Sequence, residues 1–177
     1  MEQFTGDALL MAYGRGERRF HGIRAMAVNL FEADLRQIDL SHSCLNRAYL
    51  PYGNLSLAQL QAVSLVEAQL ADSMLYGVNL TAADLSRANL SRADLRNATL
   101  NRAQLVGANL SGANLSGADL SGANLEGCKL VGARLDNAIL AETNLRHSNL
   151  FRAIGVELNG CHCDTSTVLP SGYRYGL

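Results

Sequence analysis

From Leu30 to Leu150 a leucine stands at every fifth position, 25 in succession by (150 − 30)/5 + 1. A period of five suits neither regular element. On an α-helix, at about 100° per residue, successive leucines would sit about 140° apart and form no stripe. On a flat strand, where side chains alternate, an odd repeat would send each leucine to the face opposite the last. Continuous helix and continuous strand are both excluded.

The residues around each leucine supply the alternative. A small residue stands two positions earlier, as in the run Ala83, Ala88, Ala93 to Ala123. Between the two lies a polar residue, often Asn or Asp, such as Asp84, Asn89, Asp94 and Asn109. Small–polar–leucine reads in–out–in, a very short strand. Two residues remain in each repeat, and Gly107, Gly112, Gly117, Gly122, Gly127 and Gly132 occupy the second. Recurrent glycine in a two-residue polar connection is turn chemistry, since glycine accepts positive φ. Each pentapeptide is therefore a short edge and a corner. A chain that turns the same way at each corner coils, burying its leucine columns and pairing backbone between coils.

The stretch Ala83-Asp84-Leu85-Ser86-Arg87 through Ala123-Asn124-Leu125-Glu126-Gly127 resembles the pentapeptide-repeat family, whose pattern is A(D/N)LXX. The resemblance covers residues 20–153. It implies an all-β fold, a right-handed quadrilateral β-helix with four pentapeptides per coil. Twenty-five repeats then make roughly six coils, a rod about 30 Å long at the ~4.8 Å spacing of paired strands.

A length of 177 residues suits one domain. Residues 1–19 read as an N-terminal cap, 20–163 as the β-helix and 164–177 as a closing tail. Within the cap, Asp7–Tyr13 reads as a short helix, with Thr5 or Gly6 to start it and Gly14 and Gly16 to stop it. The phrase Leu9 to Phe20 resembles the leader of many cyanobacterial members of the family. Val156-Glu157-Leu158 restarts the in–out–in pattern after the register breaks, with Cys161-His162-Cys163 in step. Pro170 fits a cover over the last coil, because proline cannot extend a ladder. An uncovered last coil would instead pair end to end through Tyr173 and Tyr175, so monomer and end-to-end dimer both stand open. No stretch approaches the ~18 apolar residues of a membrane span. No basic segment followed by an apolar run opens the chain, which makes the cytoplasm the expected location.

The chemistry-bearing residues assemble nothing. Cys128, Cys161 and Cys163 take inward positions, where free cysteine serves as a small hydrophobe; only Cys44 points outward. Cys-His-Cys without a second pair is not a zinc framework. His42 and His147 have serine neighbours that point in other directions, and the spaced glycines lack the Lys-Ser/Thr and helix of a phosphate loop. With an interior filled by Leu and Ala, the chain reads as no enzyme, with no cofactor, no metal and no small-molecule substrate.

Charge narrows the partners. Sixteen acidic and fifteen basic residues leave a net charge of −1. Some members of the family inhibit DNA gyrase as acidic mimics of duplex DNA, which needs a dense negative surface. Here every face mixes signs, as in Asp34, Arg36, Asp94, Arg96, Arg134 and Asp136 along one of them. Neither mimicry nor nucleic-acid binding is favoured. The family also includes a regulator of heterocyst differentiation, so binding a transcription regulator is an alternative role.

Sorting outward residues by position modulo twenty isolates one anomaly. Phe31, Tyr49, Pro51, Tyr52, Met74 and Tyr76 fall at 11, 9, 11, 12, 14 and 16, around one corner of adjacent coils. Gly53, where alanine is usual, suggests local distortion beside them. Exposed aromatics with methionine have the composition of a protein-binding patch. The alternative is cover by a bulge or by the N-terminal segment. The sequence thus describes a rigid interaction scaffold with an unidentified protein partner.

Overall fold

The computed structural model of the protein describes residues 1–176. Through the repeats each outward residue pairs in parallel with the residue twenty positions on. One column runs Arg24, Cys44, Ser64, Asp84, Gln104, Asn124, Asn144, and three others run from Arg19 to Ile139, Asn29 to Asn149 and Asp34 to Ile154. Four columns make a four-sided coil of twenty residues. Six steps from Arg24 to Asn144 span about 29 Å at the ~4.8 Å strand spacing.

Backbone hydrogen bonding explains the repeat position by position. The Leu30 amide donates to Tyr49 O (2.8 Å), Glu32 to Pro51 O (3.1 Å), Ala33 to Leu30 O (3.1 Å) and Asn54 to Ala33 O (2.9 Å). The amide of the first corner residue has no place in this scheme. Where an Asn or Asp stands two residues earlier, its side chain accepts it: Asn29 Oδ1 from Phe31 N (3.1 Å), Asp39 Oδ1 from Ser41 N (3.0 Å), Asp119 Oδ1 from Ser121 N (3.0 Å). These acidic and amide residues are thus corner locks, the local bonding their side chains are suited to.

At each corner only the second residue has positive φ, the requirement of a type II turn. It is 52° at Ala27, 58° at Tyr52 and 69° at Gly112. Valine, isoleucine, threonine and proline never occupy this position between Gly22 and Arg152. An L-residue there costs roughly 1 kcal/mol or more, and a β-branched one is a genuine outlier. The leucines and alanines fill the interior, and Leu50, Leu85 and Leu110 are fully enclosed.

The N-terminal segment adds a rung ahead of the repeats. Gln3 bridges Arg24, and Phe4 meets Phe20 edge to face at 5.7 Å. Helix α1 then spans Gly6–Gly14, one residue beyond the expected limits at each end; Thr5 Oγ1 accepts from Ala8 N at 3.2 Å. Leu9 is fully buried, and Tyr13 donates its hydroxyl to Arg36 O at 2.9 Å.

At the other end the expected restart holds in burial, with Val156 and Leu158 packed against the core and Glu157 exposed between them, but not in strand pairing. Val156, Glu157 and Leu158 form no bridge; the chain cuts the corner, and His162 pairs with Asn144 only eighteen residues back. Gly155 permits the shortcut, since a Cβ there would stand 2.7 Å from Asp136 Cα. An antiparallel bridge between Val168 and Arg174 folds the tail back on itself. The distortion expected at Gly53 is also absent. Its φ is not left-handed, its amide makes the usual bond to Leu50 O (3.1 Å), and both neighbouring columns stay in register.

Candidate functional site

The apolar residues occupy one side of the rod and both of its corners. The side is the column Asp34, Asn54, Met74, Asp94. Phe31 and Tyr52 stand at the corner before it, Tyr76 at the corner after it, and Tyr49 on the adjoining side. The cluster therefore spans two corners with a face between them, rather than the single corner expected. Phe31, Tyr49, Tyr52, Met74 and Tyr76 are each between 42% and 53% exposed. Neither α1 nor a bulge of the chain covers them.

Phe31 organises one half. Its ring lies nearly parallel to Tyr49 (centroids 6.1 Å, 18°) and edge-on to Tyr52 (5.9 Å, 80°). Pro51 corrects the sequence reading: it is buried. Phe31 holds the same corner position one coil earlier, and its ring meets Tyr49 and Tyr52 on either side of the proline in sequence. Pro51 has a further reason to be there. Tyr49 holds an outward position where Asn or Asp would lock the next corner, and proline has no amide to lock. At Met74 the lock is lost without that remedy. Among the described residues the Tyr76 amide finds no acceptor.

One member escaped the sequence reading. Leu57, 47% exposed with φ of 61°, holds a second corner position beside the column of Tyr76. A Cβ on Gly77 would stand 2.8 Å from Leu57 Cδ2, so the glycine leaves the space into which Leu57 leans. A leucine off the five-residue ruler was the available signal, hidden by so many leucines on it.

Charge frames the apolar face in self-paired forks. Arg36 grips Asp34 (Nη2–Oδ2 2.7 Å), Arg92 grips Asp72 (2.6 Å) and Arg96 grips Asp94 (2.7 Å). In each pair the arginine hydrogen bond holds the carboxyl below the usual aspartate range. Arg96 also lies over the Tyr76 ring at 5.7 Å, and Asn97 Nδ2 donates to the Tyr76 hydroxyl at 3.3 Å.

The cysteines and histidines lie elsewhere. Cys128 is buried, its thiol pushed up to about 12 by burial and donating to Leu105 O. Cys161 and Cys163 pack half-buried against the last coil, and burial pushes Cys161 up to about 11. Their reactivity as thiolates is suppressed accordingly. Cys44 is half-buried and unpaired. His162 faces Glu142 at 3.2 Å, and His147 faces Asp164 at 3.3 Å. Among the described residues no three His, Cys, Asp or Glu converge as metal ligands, and no helix is long and apolar enough to cross a membrane. An open depression of about 520 Å³ lies at Thr81, Asn101, Arg102, Ser121 and Glu142, away from the apolar face.

The model of pentapeptide repeats matches residues 54–92, 88–127 and 118–154, more than half of the chain, in eight copies. Phe31, Tyr49 and Tyr52 precede the matched residues. No curated protein matches. Among solved structures, HetL, a pentapeptide repeat protein involved in heterocyst differentiation regulation from the cyanobacterium Nostoc sp. strain PCC 7120, is 26% identical over 97% of this chain and 100% of its own, with a TM-score of 0.35. Another pentapeptide repeat protein of Nostoc is 28% identical over 92% of this chain and 98% of its own, with a TM-score of 0.37. Trypsin-treated QnrB1, a plasmid-mediated fluoroquinolone resistance protein, is 20% identical over 84% of this chain and 86% of its own; its TM-score of 0.51 is a likeness of fold.

Proposed function

This chain belongs to the pentapeptide-repeat family, and on that premise we propose that it is a non-enzymatic scaffold that docks a protein partner. The docking surface is the apolar face bearing Phe31, Tyr49, Tyr52, Met74 and Tyr76, with Leu57 at its edge and Pro51 as buried support. We take the coil as right-handed, as the family implies, with residues 1–19 and 164–177 as covers for its two ends and the cytoplasm as its location. One observation carries the reading. Phe31, Tyr49, Tyr52, Met74 and Tyr76 gather on adjacent coils, and each is left between 42% and 53% exposed. Contiguous apolar side chains left half-exposed fit a surface completed by something else. Duplex mimicry finds no such support, because the aspartates beside this face, Asp34, Asp72 and Asp94, are each neutralised by an arginine.

Two variants test the reading. Tyr52→Ala with Tyr76→Ala should leave the thermal midpoint nearly unchanged and abolish capture of a partner from native lysate. Met74→Asn should restore the corner lock and raise stability by about 1 kcal/mol in urea, while also weakening capture. A marked loss of stability in either variant would make the face internal packing and end the proposal.

A further inference from the structure

Resting on that docking reading, we infer that the partner presents an arginine or lysine side chain to the corner formed by Phe31, Tyr49 and Tyr52, with Glu32 as its counter-ion. Aromatic faces carry negative electrostatic potential and attract cations placed over them. The protein satisfies this attraction internally elsewhere. Arg18 lies 3.8 Å above Tyr13, Arg96 lies 5.7 Å from Tyr76, and Arg152 lies 5.0 Å from Phe151. Among the described residues no cation stands over the three rings at Phe31, although they form the largest exposed aromatic group in the molecule.

The carboxylates point the same way. Around this face Asp34, Asp72 and Asp94 are each committed to an arginine at 2.7, 2.6 and 2.7 Å. Glu32 has no cationic partner among the described residues and is exposed. It follows Phe31 directly and lies one coil below Tyr52, its amide bonded to Pro51 O at 3.1 Å. Its φ of 55° places a charged L-residue at a corner that glycine would occupy without strain. An acidic partner group would meet three negative ring faces and a free carboxylate. A basic one would find all four complementary, with its aliphatic stem laid along the rings. The neighbouring Met74 and Leu57 call for an apolar residue beside the cation.

The test titrates the full ¹⁵N-labelled chain with three blocked tripeptides, acetyl-Leu-Arg-Leu-amide and its Gln and Glu counterparts, and follows backbone amide shifts. The Arg peptide is expected to move Phe31, Glu32 and Tyr52 saturably, about fivefold more tightly than the Gln peptide, with the Glu peptide weakest. Glu32→Gln and, separately, Phe31→Leu should each erase most of that preference, and urea midpoints confirm that both variants fold. Equal shifts from all three peptides at this face would overturn the cation while leaving the docking reading intact. Shifts from none of them, or from the Arg peptide only at other sites, would overturn both.

Discussion

The coils between Ala27 and Asp72 and the coils between Gly107 and Gly132 share one backbone and treat its corners in opposite ways. In the later region every second corner residue is glycine, with φ between 65° and 71°. In the earlier one, none of the ten is glycine, yet φ stays between 51° and 61°. The geometry is the same, so glycine is a relief of strain there and not a condition of the fold. Several of the side chains that persist at strained corners have an occupation. Arg47 and Arg87 pair with Glu67, Arg92 with Asp72, and Tyr52 and Leu57 build the apolar surface. The glycine region carries a plain polar exterior, with Ser111, Ser116 and Ser121 each donating to the Asn or Asp two residues earlier. One region is optimised as scaffold and the other is spent on a surface.

If the two regions differ only outside, their interiors should respond alike. Leu50 and Leu110 are both enclosed, in the aromatic and the glycine region respectively. Leu50→Ala and Leu110→Ala should each cost about 3 kcal/mol by lost burial and the cavity left behind. Urea midpoints measure both. A much smaller loss at Leu50 would show that the aromatic coils pack loosely, and the contrast would then reach into the core.

The corners should answer next in size. Gly112 has φ of 69°, and a Cβ there would meet Arg92 Cγ at 3.4 Å, an ordinary contact. Space therefore does not forbid a side chain, and conformation does. Gly112→Val should cost about 2 kcal/mol, because a β-branched residue is strained at positive φ, whereas Gly112→Ala should cost about 1 kcal/mol. Equal losses from the two variants would mean that crowding, rather than backbone conformation, keeps these corners glycine.

Much of this contrast was legible in the residue numbers, for a physical reason. With a strict period, side-chain direction follows from position, so the burial of the Leu and Ala columns and the outward course of Tyr52 and Tyr76 could be read directly. What failed was what the period does not encode. Pro51 keeps its place on the ruler but is buried, and how far neighbouring side chains cover a corner is a tertiary matter. The rung at Gln3 and the shortcut after Ile154 lie where no repeat continues. Leu57 was visible in principle and lost among its own kind. The proposed occupant of the surface is chemistry of another molecule, and only its complement is written here.

The subtlest expected difference concerns how each region holds its carboxylates. In the earlier coils Asp72 is held below the usual range chiefly by the hydrogen bonds of Arg92, at 2.7 and 2.6 Å. In the later coils burial works to raise Asp119, but hydrogen bonds from the Ser121 hydroxyl (2.6 Å), the Ser121 amide (3.0 Å) and Asn101 (2.7 Å) together carry it below that range. Both folded values are depressed, so each contribution to stability is complete above an ordinary carboxylate value of about 4 and is lost as pH falls through the folded value. Salt separates the two cases. At 1 M the screening length is about 3 Å, which weakens an exposed ion pair but leaves neutral donors in place. In a ¹³C titration of the aspartate carboxyls, added NaCl should move Asp72 back toward the ordinary value and leave Asp119 almost where it was. Equal movement of both would show that surface charge governs the two regions alike, and that the glycine coils owe their corner locks to the same electrostatics as the aromatic ones.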